Sequence, residues 1–264
     1  MKNGNLIPFG IKNDTGSIID IFEAEQGNDC DCKCPSCNTP LQARKGDDRA
    51  WHFAHQSASA FKQTSKECAY SYFVSVRFMI KQLAEKSFSL LTPSLKSVYV
   101  SHHPLLGHKI TTPLDVASPT LLYVKKARLE ESFLGYITDF IFSVGEYDVV
   151  VIVSYEGRPF PLIERLDVPE HIGILNIDIS EMPNLFVESK LQGEAYLSIL
   201  KKYLQESEIG KIWYHHPRYR LAQDIVKLKL SQNGKTTSKE YQCKLCQRLW
   251  QGDVNLIQHC PHCK

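Results

Sequence analysis

Between Tyr70 and Ser87 (YSYFVSVRFMIKQLAEKS), apolar residues recur at three- and four-residue steps: Phe73, Val76, Met79, Ile80 and Leu83. That period marks an amphipathic helix, with Arg77 and Lys81 one turn apart on another face. The pair reads as a solvated helix face or as two cations presented to a phosphate. From residue 123 to 180 the pattern changes to alternating and β-branched apolar runs. Turns interrupt it at Gly145-Glu146 and at Glu156-Gly-Arg-Pro. This predicts successive strands in YVKKARLEES, GYITDFIFSV, YDVVVIVSY, FPLIERLDV and IGILNIDIS. Helical spacing returns over 185–204 and 219–230. The stretch 91–122 is rich in Pro, Ser and Thr and reads as loop. Its His102, His103 and His108 lack the paired spacing of a metal site. Residues 212–218 (IWYHHPR) read as a helix-joining corner with Trp213 in the core. The same mixture also suits stacking on bases and contacts to phosphates.

Composition narrows the classes. A chain of 264 residues with 43% hydrophobic and 23% charged residues fits one or two globular domains with a small appended unit. The longest apolar run, Tyr147–Val153, already contains Asp148 and falls far short of the roughly 20 residues a membrane span needs. The start, MKNGNLIPFG, has no apolar core followed by a cleavage site, so a cytoplasmic protein without membrane contact is expected. Charge is uneven within the net +2: residues 201–264 hold twelve Lys/Arg against five Asp/Glu, leaving −5 for the first 200. A basic end beside an acidic body is a nucleic-acid footprint or a solvated face.

The nine cysteines fall as five within residues 30–68 and four within 243–263, with none between. An odd number in a reducing compartment argues for metal rather than disulfides. Cys243-x2-Cys246 and Cys260-x2-Cys263, thirteen residues apart, have the spacing of a four-cysteine zinc ribbon. So short a segment needs the ion to fold. His259 and His262 beside these ligands read as surface histidines. In the first cluster, Cys34-x2-Cys37 with His52-x2-His55 offers two cysteines and two histidines to a second zinc. The intervening TPLQARKGDDRAW predicts two short strands around a Lys45-Gly-Asp-Asp turn. Cys30 and Cys32 read as surplus thiols, and Cys68 as a possible replacement for one histidine.

The string CPSCNTPLQARKGDDRAWHFAH resembles the amino-terminal zinc-binding module of the competence-protein CoiA-like family. The shared features are a C-P-x-C pair, an Arg/Lys-Gly turn and a terminal H-F-A-H. The resemblance implies an α/β fold. A restriction-endonuclease-like mixed sheet with flanking helices, of the PD-(D/E)xK type, would follow the module. The expected division is 1–66 for the zinc-binding module, 67–235 for the nuclease-like domain and 236–264 for the zinc ribbon.

Such nucleases converge carboxylates on Mg²⁺ or Mn²⁺ and place a lysine near the attacking water. By this resemblance Asp139, in YITDFIF, takes the first acidic position, with Thr138 where the motif has proline. Glu164, in FPLIERL, takes the second, since an acid within an apolar strand is costly without an ion or partner. Glu130 is a third candidate, and Glu156, in a turn, is the runner-up to Glu164. Leu166 stands where the lysine is expected, so Lys81 or Lys190 would have to serve. The function implied is a Mg-dependent DNA endonuclease of bacterial DNA processing, mobile elements or phage defence. The alternative is a degenerate nuclease fold that binds zinc and DNA and recruits a protein partner. An oligomer would suit double-strand cutting.

Overall fold

In the computed structural model of the chain, residues 6–47, 50–56, 69–102, 109–163, 168–190, 194–233, 238–242 and 246–253 are described. The architecture is mixed α/β, rich in strands and sparing in helices. It divides into two compact units, residues 1–95 with 116–217, and residues 96–115 with 218–264.

The first unit opens with β1 (Phe9–Lys12), β2 (Ile18–Asp20), β3 (Gly27–Lys33), β4 (Pro40–Arg44) and β5 (His52–His55). They form one antiparallel sheet in the order β2-β1-β3-β4-β5. The two strands expected around the Lys45 turn are present, the second beginning at His52. Gly10 sits where a Cβ would meet Cys32 Cβ, Leu41 Cδ1 and the Phe53 ring, each at 3.3 Å, so a side chain here would wedge the sheet's core apart.

Helix α1 (Ser71–Lys86) follows the predicted period, and Val76, Met79, Ile80 and Ala84 are buried. Its Gln82 completes the edge of β2: Oε1 accepts from Ile18 N at 2.7 Å and Nε2 donates to Ile18 O at 2.8 Å. One continuous apolar core runs from Phe9, Leu41 and Phe53 through α1 to the strands beyond it.

The region read as loop is instead strand: β6 (Phe88–Thr92), β7 (Leu95–His102), β8 (Lys109–Ala117) and β9 (Thr120–Val124). β6 pairs antiparallel with β9, and β7 pairs with β8. Pro93 and Pro119 fall in the connections, while Thr, Val and Tyr between them alternate on half-exposed ladders. Such weakly apolar strands resemble loop in composition. His102 ends β7; His103 and His108 lie outside the described residues.

Next come β10 (Arg128–Leu129), β11 (Ser132–Phe133), β12 (Tyr136–Ile137), β13 (Phe140–Val144), β14 (Tyr147–Ser154) and β15 (Ile172–Asp178). After β15 the chain forms α2 (Met182–Lys190), α3 (Tyr196–Glu206) and β16 (Lys211–His215). The central sheet runs β10-β13-β14-β15-β16. β13 and β14 form an antiparallel hairpin, β15 lies parallel to β14, and β16 is antiparallel to β15. One face packs Phe140, Phe142, Val151 and Val153 into the main core; the other buries Ile141, Val150, Ile152 and Ile174. Trp213 is in the core, as the corner reading required, although its segment is strand β16 rather than a helix joint. FPLIERLDV, expected as a strand, is irregular over 159–163, and 164–167 lie outside the described residues.

The helix expected over 185–204 is two helices. α3 is capped from a distance at both ends. Its own N-cap, Ala195, offers no side-chain bond, and Asp20 Oδ2 accepts from Leu197 N at 2.6 Å. At the other end, Lys211 Nζ donates to the carbonyls of Tyr203, Leu204 and Ser207 at 2.7–3.0 Å, and to Leu91 O at 3.0 Å. An anion at the N-terminus and a cation at the C-terminus both complement the helix dipole. Burial pushes the Asp20 carboxyl up to about 6, and pulls Lys211 down to about 7 against the opposing field of the Glu208 carboxylate.

In the second unit, α4 (Tyr219–Asn233) accompanies the β7–β8 pair, with Ser97 Oγ 3.2 Å from Tyr219 Oη and Lys227 over the Tyr99 ring. The strands β17 (Ser238–Gln242) and β18 (Leu249–Asp253) form an antiparallel hairpin. Among the described residues, no helix is long and apolar enough to cross a membrane.

Candidate functional site

Two clusters in the first unit carry chemistry. The first grows from the turn between β3 and β4. Cys34 N donates to Thr39 O at 2.8 Å, Asn38 N returns to Cys34 O at 2.8 Å, and Asn38 adopts φ 60, so the chain folds back tightly after Cys37. Strand β5 then delivers His55, whose Nε2 is 3.4 Å from Cys37 Sγ. The ligand atoms of Cys34, Cys37 and His55 all lie within 4.8 Å of one another. Two thiols and one imidazole converging at this range suit zinc, a borderline-soft ion that takes sulfur and nitrogen.

His52 does not join them. Side chains alternate along β5, so His52 and His55, three residues apart, leave opposite faces. His52 Nδ1 instead lies 2.7 Å from Ala50 O. Cys30 and Cys32 are buried along β3, with Cys30 Sγ donating to Leu41 O at 3.3 Å and Cys32 Sγ to Cys30 O at 2.9 Å. Burial pushes the Cys32 thiol up to about 12, which keeps it from being a thiolate. Both are packing residues here. Cys246 is half-buried in the turn between β17 and β18. Cys68, Cys243, Cys260 and Cys263 lie outside the described residues.

The second cluster joins α1 to the central sheet. Asp139 precedes β13 and is 0% exposed. Its Oδ1 pairs with Arg77 Nε. Its Oδ2 accepts from Val153 N at 2.7 Å and from Arg158 Nη1 at 2.8 Å. Arg158 is further fixed by the carbonyls of Val153 and Ile137. One helical turn after Arg77, Lys81 pairs with Glu130, which holds the Glu130 carboxyl below its usual range. Glu130 itself adopts φ 55 and donates its N–H to Asp139 O at 3.3 Å. Three cations therefore face two carboxylates.

Of the acids and lysine expected to act together, the structure brings Asp139, Glu130 and Lys81 into one cluster. Glu164 lies outside the described residues, as does Leu166; Glu156 is exposed in its turn. The face of β14 beside Asp139 carries Val149, Val151, Val153 and Tyr155, with no carboxylate. Asp148, at the strand's start, is ion-paired to Arg128 at 3.0 Å. Sequence reasoning missed Arg158, an ordinary turn residue until the fold returns it to Asp139. Arg77 and Lys81 are neither of them on a solvated face; each is turned onto an acid.

The architecture and the Cys/His turn define a strand-rich α/β protein with a zinc-finger-like amino-terminal module. Residues 22–62 match the family model described as the N-terminal domain of competence protein CoiA, and the chain is CoiA-like on that segment. Neither the curated proteins nor the solved structures yield a match to the chain.

Proposed function

We propose that this protein is a zinc- and DNA-binding member of the CoiA-like group whose restriction-endonuclease-like core no longer hydrolyses phosphodiester bonds. The observation that carries this reading is the enclosure of Asp139. A Mg²⁺ ligand needs lone pairs turned to an open site and a second carboxylate to share the ion. Asp139 spends its oxygens on two guanidiniums and a backbone N–H, and among the described residues the face of β14 beside it carries valines and no second acid. The cluster's net charge is +1, which repels a divalent cation and suits an anion.

DNA binding is supported by the basic chain after residue 200 and by the exposed Arg218, Arg220, Lys227 and Lys229 on and before α4. Cys34, Cys37 and His55 would hold one structural zinc, and the Cys243, Cys246, Cys260 and Cys263 set a second. Recruitment of a partner enzyme would then supply the chemistry.

The competing reading is the Mg²⁺- or Mn²⁺-dependent endonuclease, in which Asp139 sheds its arginines and Glu130 or Glu164 completes the metal site. Supercoiled plasmid incubated with the zinc-loaded protein and either metal decides between them. The expected result is intact plasmid with retarded migration from binding. Nicking or linearisation that disappears in Asp139→Ala would overturn the non-hydrolytic reading.

A further inference from the structure

Along α1, Phe73, Arg77 and Lys81 follow one another at four-residue steps and share a face, and Tyr70 is the N-cap residue just before the helix. Of these, Arg77 and Lys81 are engaged by acids. Arg77 gives its Nε to Asp139, and among the described residues its two Nη groups make no hydrogen bond. Lys81 gives Glu130 one of its three N–H groups. Donors are left over in a mostly buried cluster that reaches solvent at Glu130: the side chains of Arg77 and Lys81 are 15% and 8% exposed, that of Glu130 55%.

Glu130 is the odd member. Its side chain is 55% exposed although it partners a buried ammonium, and its backbone sits in the left-handed region that a glutamate rarely adopts. Asp139 is locked from three sides, whereas Glu130 is tethered by one contact and borders solvent. With Glu130 in place the cluster carries +1. With Glu130 swung into solvent, Arg77, Lys81 and Arg158 face Asp139 alone and the cluster carries +2. A phosphomonoester carries about −1.5 to −2 at neutral pH. An internal phosphodiester carries only −1, so the doubly charged terminal phosphate matches the cluster better.

Beside the cluster, Tyr70 is 38% exposed and its ring lies against Gly157, the residue before Arg158. A Cβ at Gly157 would lie 2.5 Å from that ring, so the glycine is what lets the ring lie there. Tyr155 and Phe73, stacked at 5.3 Å, buttress the same wall. An exposed aromatic ring beside a cluster of cations is the usual pairing for one base and its phosphate.

We infer that this cluster binds the phosphorylated end of a nucleic-acid strand, with the phosphate on Arg77 and Lys81 in place of the Glu130 carboxylate and the terminal base on Tyr70. The inference rests on the non-hydrolytic reading of the same site. Glu130 is a displaceable internal anion, Asp139 the fixed one that aligns both arginines.

The test uses full-length, zinc-loaded protein and one fluorescent single-stranded oligonucleotide with a 5′-phosphate, a 3′-phosphate or hydroxyl ends, in Mg²⁺-free buffer. Anisotropy should show one phosphorylated form bound about ten-fold or more tighter than the hydroxyl form. Glu130→Gln should widen that ratio by removing the competitor, and Tyr70→Ala should weaken binding of the phosphorylated strand. Equal affinity for phosphorylated and hydroxyl ends in both wild type and Glu130→Gln would overturn the inference. So would inorganic phosphate competing at the oligonucleotide's own Kd, since the ligand would then be the free ion. Cleavage in the plasmid experiment is a separate failure, because it contradicts the non-hydrolytic reading whatever the end preference.

Discussion

Replacing Asp139 by asparagine removes one charge from a fully buried position and nearly preserves shape. In the folded chain that carboxylate neutralises Arg77 and Arg158 and accepts the N–H of Val153. The amide keeps an acceptor for one donor and leaves two guanidiniums facing each other. Removing one partner of a buried ion pair costs about 3–5 kcal/mol. The arginine side chains are 15% and 25% exposed, so water recovers part of that, and about 2–4 kcal/mol is expected. For a protein of this size that corresponds to a melting point lower by roughly 5–15 °C.

The sign is what discriminates. A carboxylate held ready for a metal is repelled by its neighbouring acids, and its neutralisation leaves the metal-free protein unchanged or more stable. Thermal and urea unfolding of wild type and Asp139→Asn, each with and without Mg²⁺, measures the difference. A variant as stable as wild type, together with a wild type that Mg²⁺ stabilises, would refute the structural role assigned to Asp139.

Two further outcomes follow from the geometry. His55→Ala should lower the bound zinc by one ion per chain in metal analysis, whereas His52→Ala should leave the zinc content unchanged; the reverse pattern would reassign the ligand. Asp20 supplies a pH signature, because burial raises its folded-state pKa from 3.8 to about 6. Between those values the folded state binds the proton more tightly, so this group's contribution is full below about pH 4 and is lost as pH rises through 6. Its size is on the order of 2–3 kcal/mol. Unfolding free energies of wild type and Asp20→Asn across pH 4–7 should therefore diverge with that slope, and parallel curves would contradict it.

Much of the local structure was legible because it depends on neighbours in sequence. The period of 70–87 made a helix, the β-branched run of 147–154 a central strand, and Cys34-x2-Cys37 a tight local turn whose thiols, with His55, could hold a metal ion. The same logic misjudged 91–122, where half-exposed ladders carry too little apolar contrast to be told from loop. It also paired His52 with His55 by spacing, although a strand sends residues three apart to opposite faces.

What only the tertiary structure decided is who meets whom. Asp139 and Glu130 are acids in both the sequence and the fold. Whether they serve a metal or neutralise cations depends on α1 bringing Arg77 and Lys81 to them and on a turn returning Arg158 from nineteen residues away. Likewise Asp20 and Lys211 become caps of α3 only when distant strands reach its ends. Side-chain charge and local period are properties of the chain. The partner that meets each charge is set by long-range packing, and here Asp139 meets Arg77 and Arg158 while Glu130 meets Lys81.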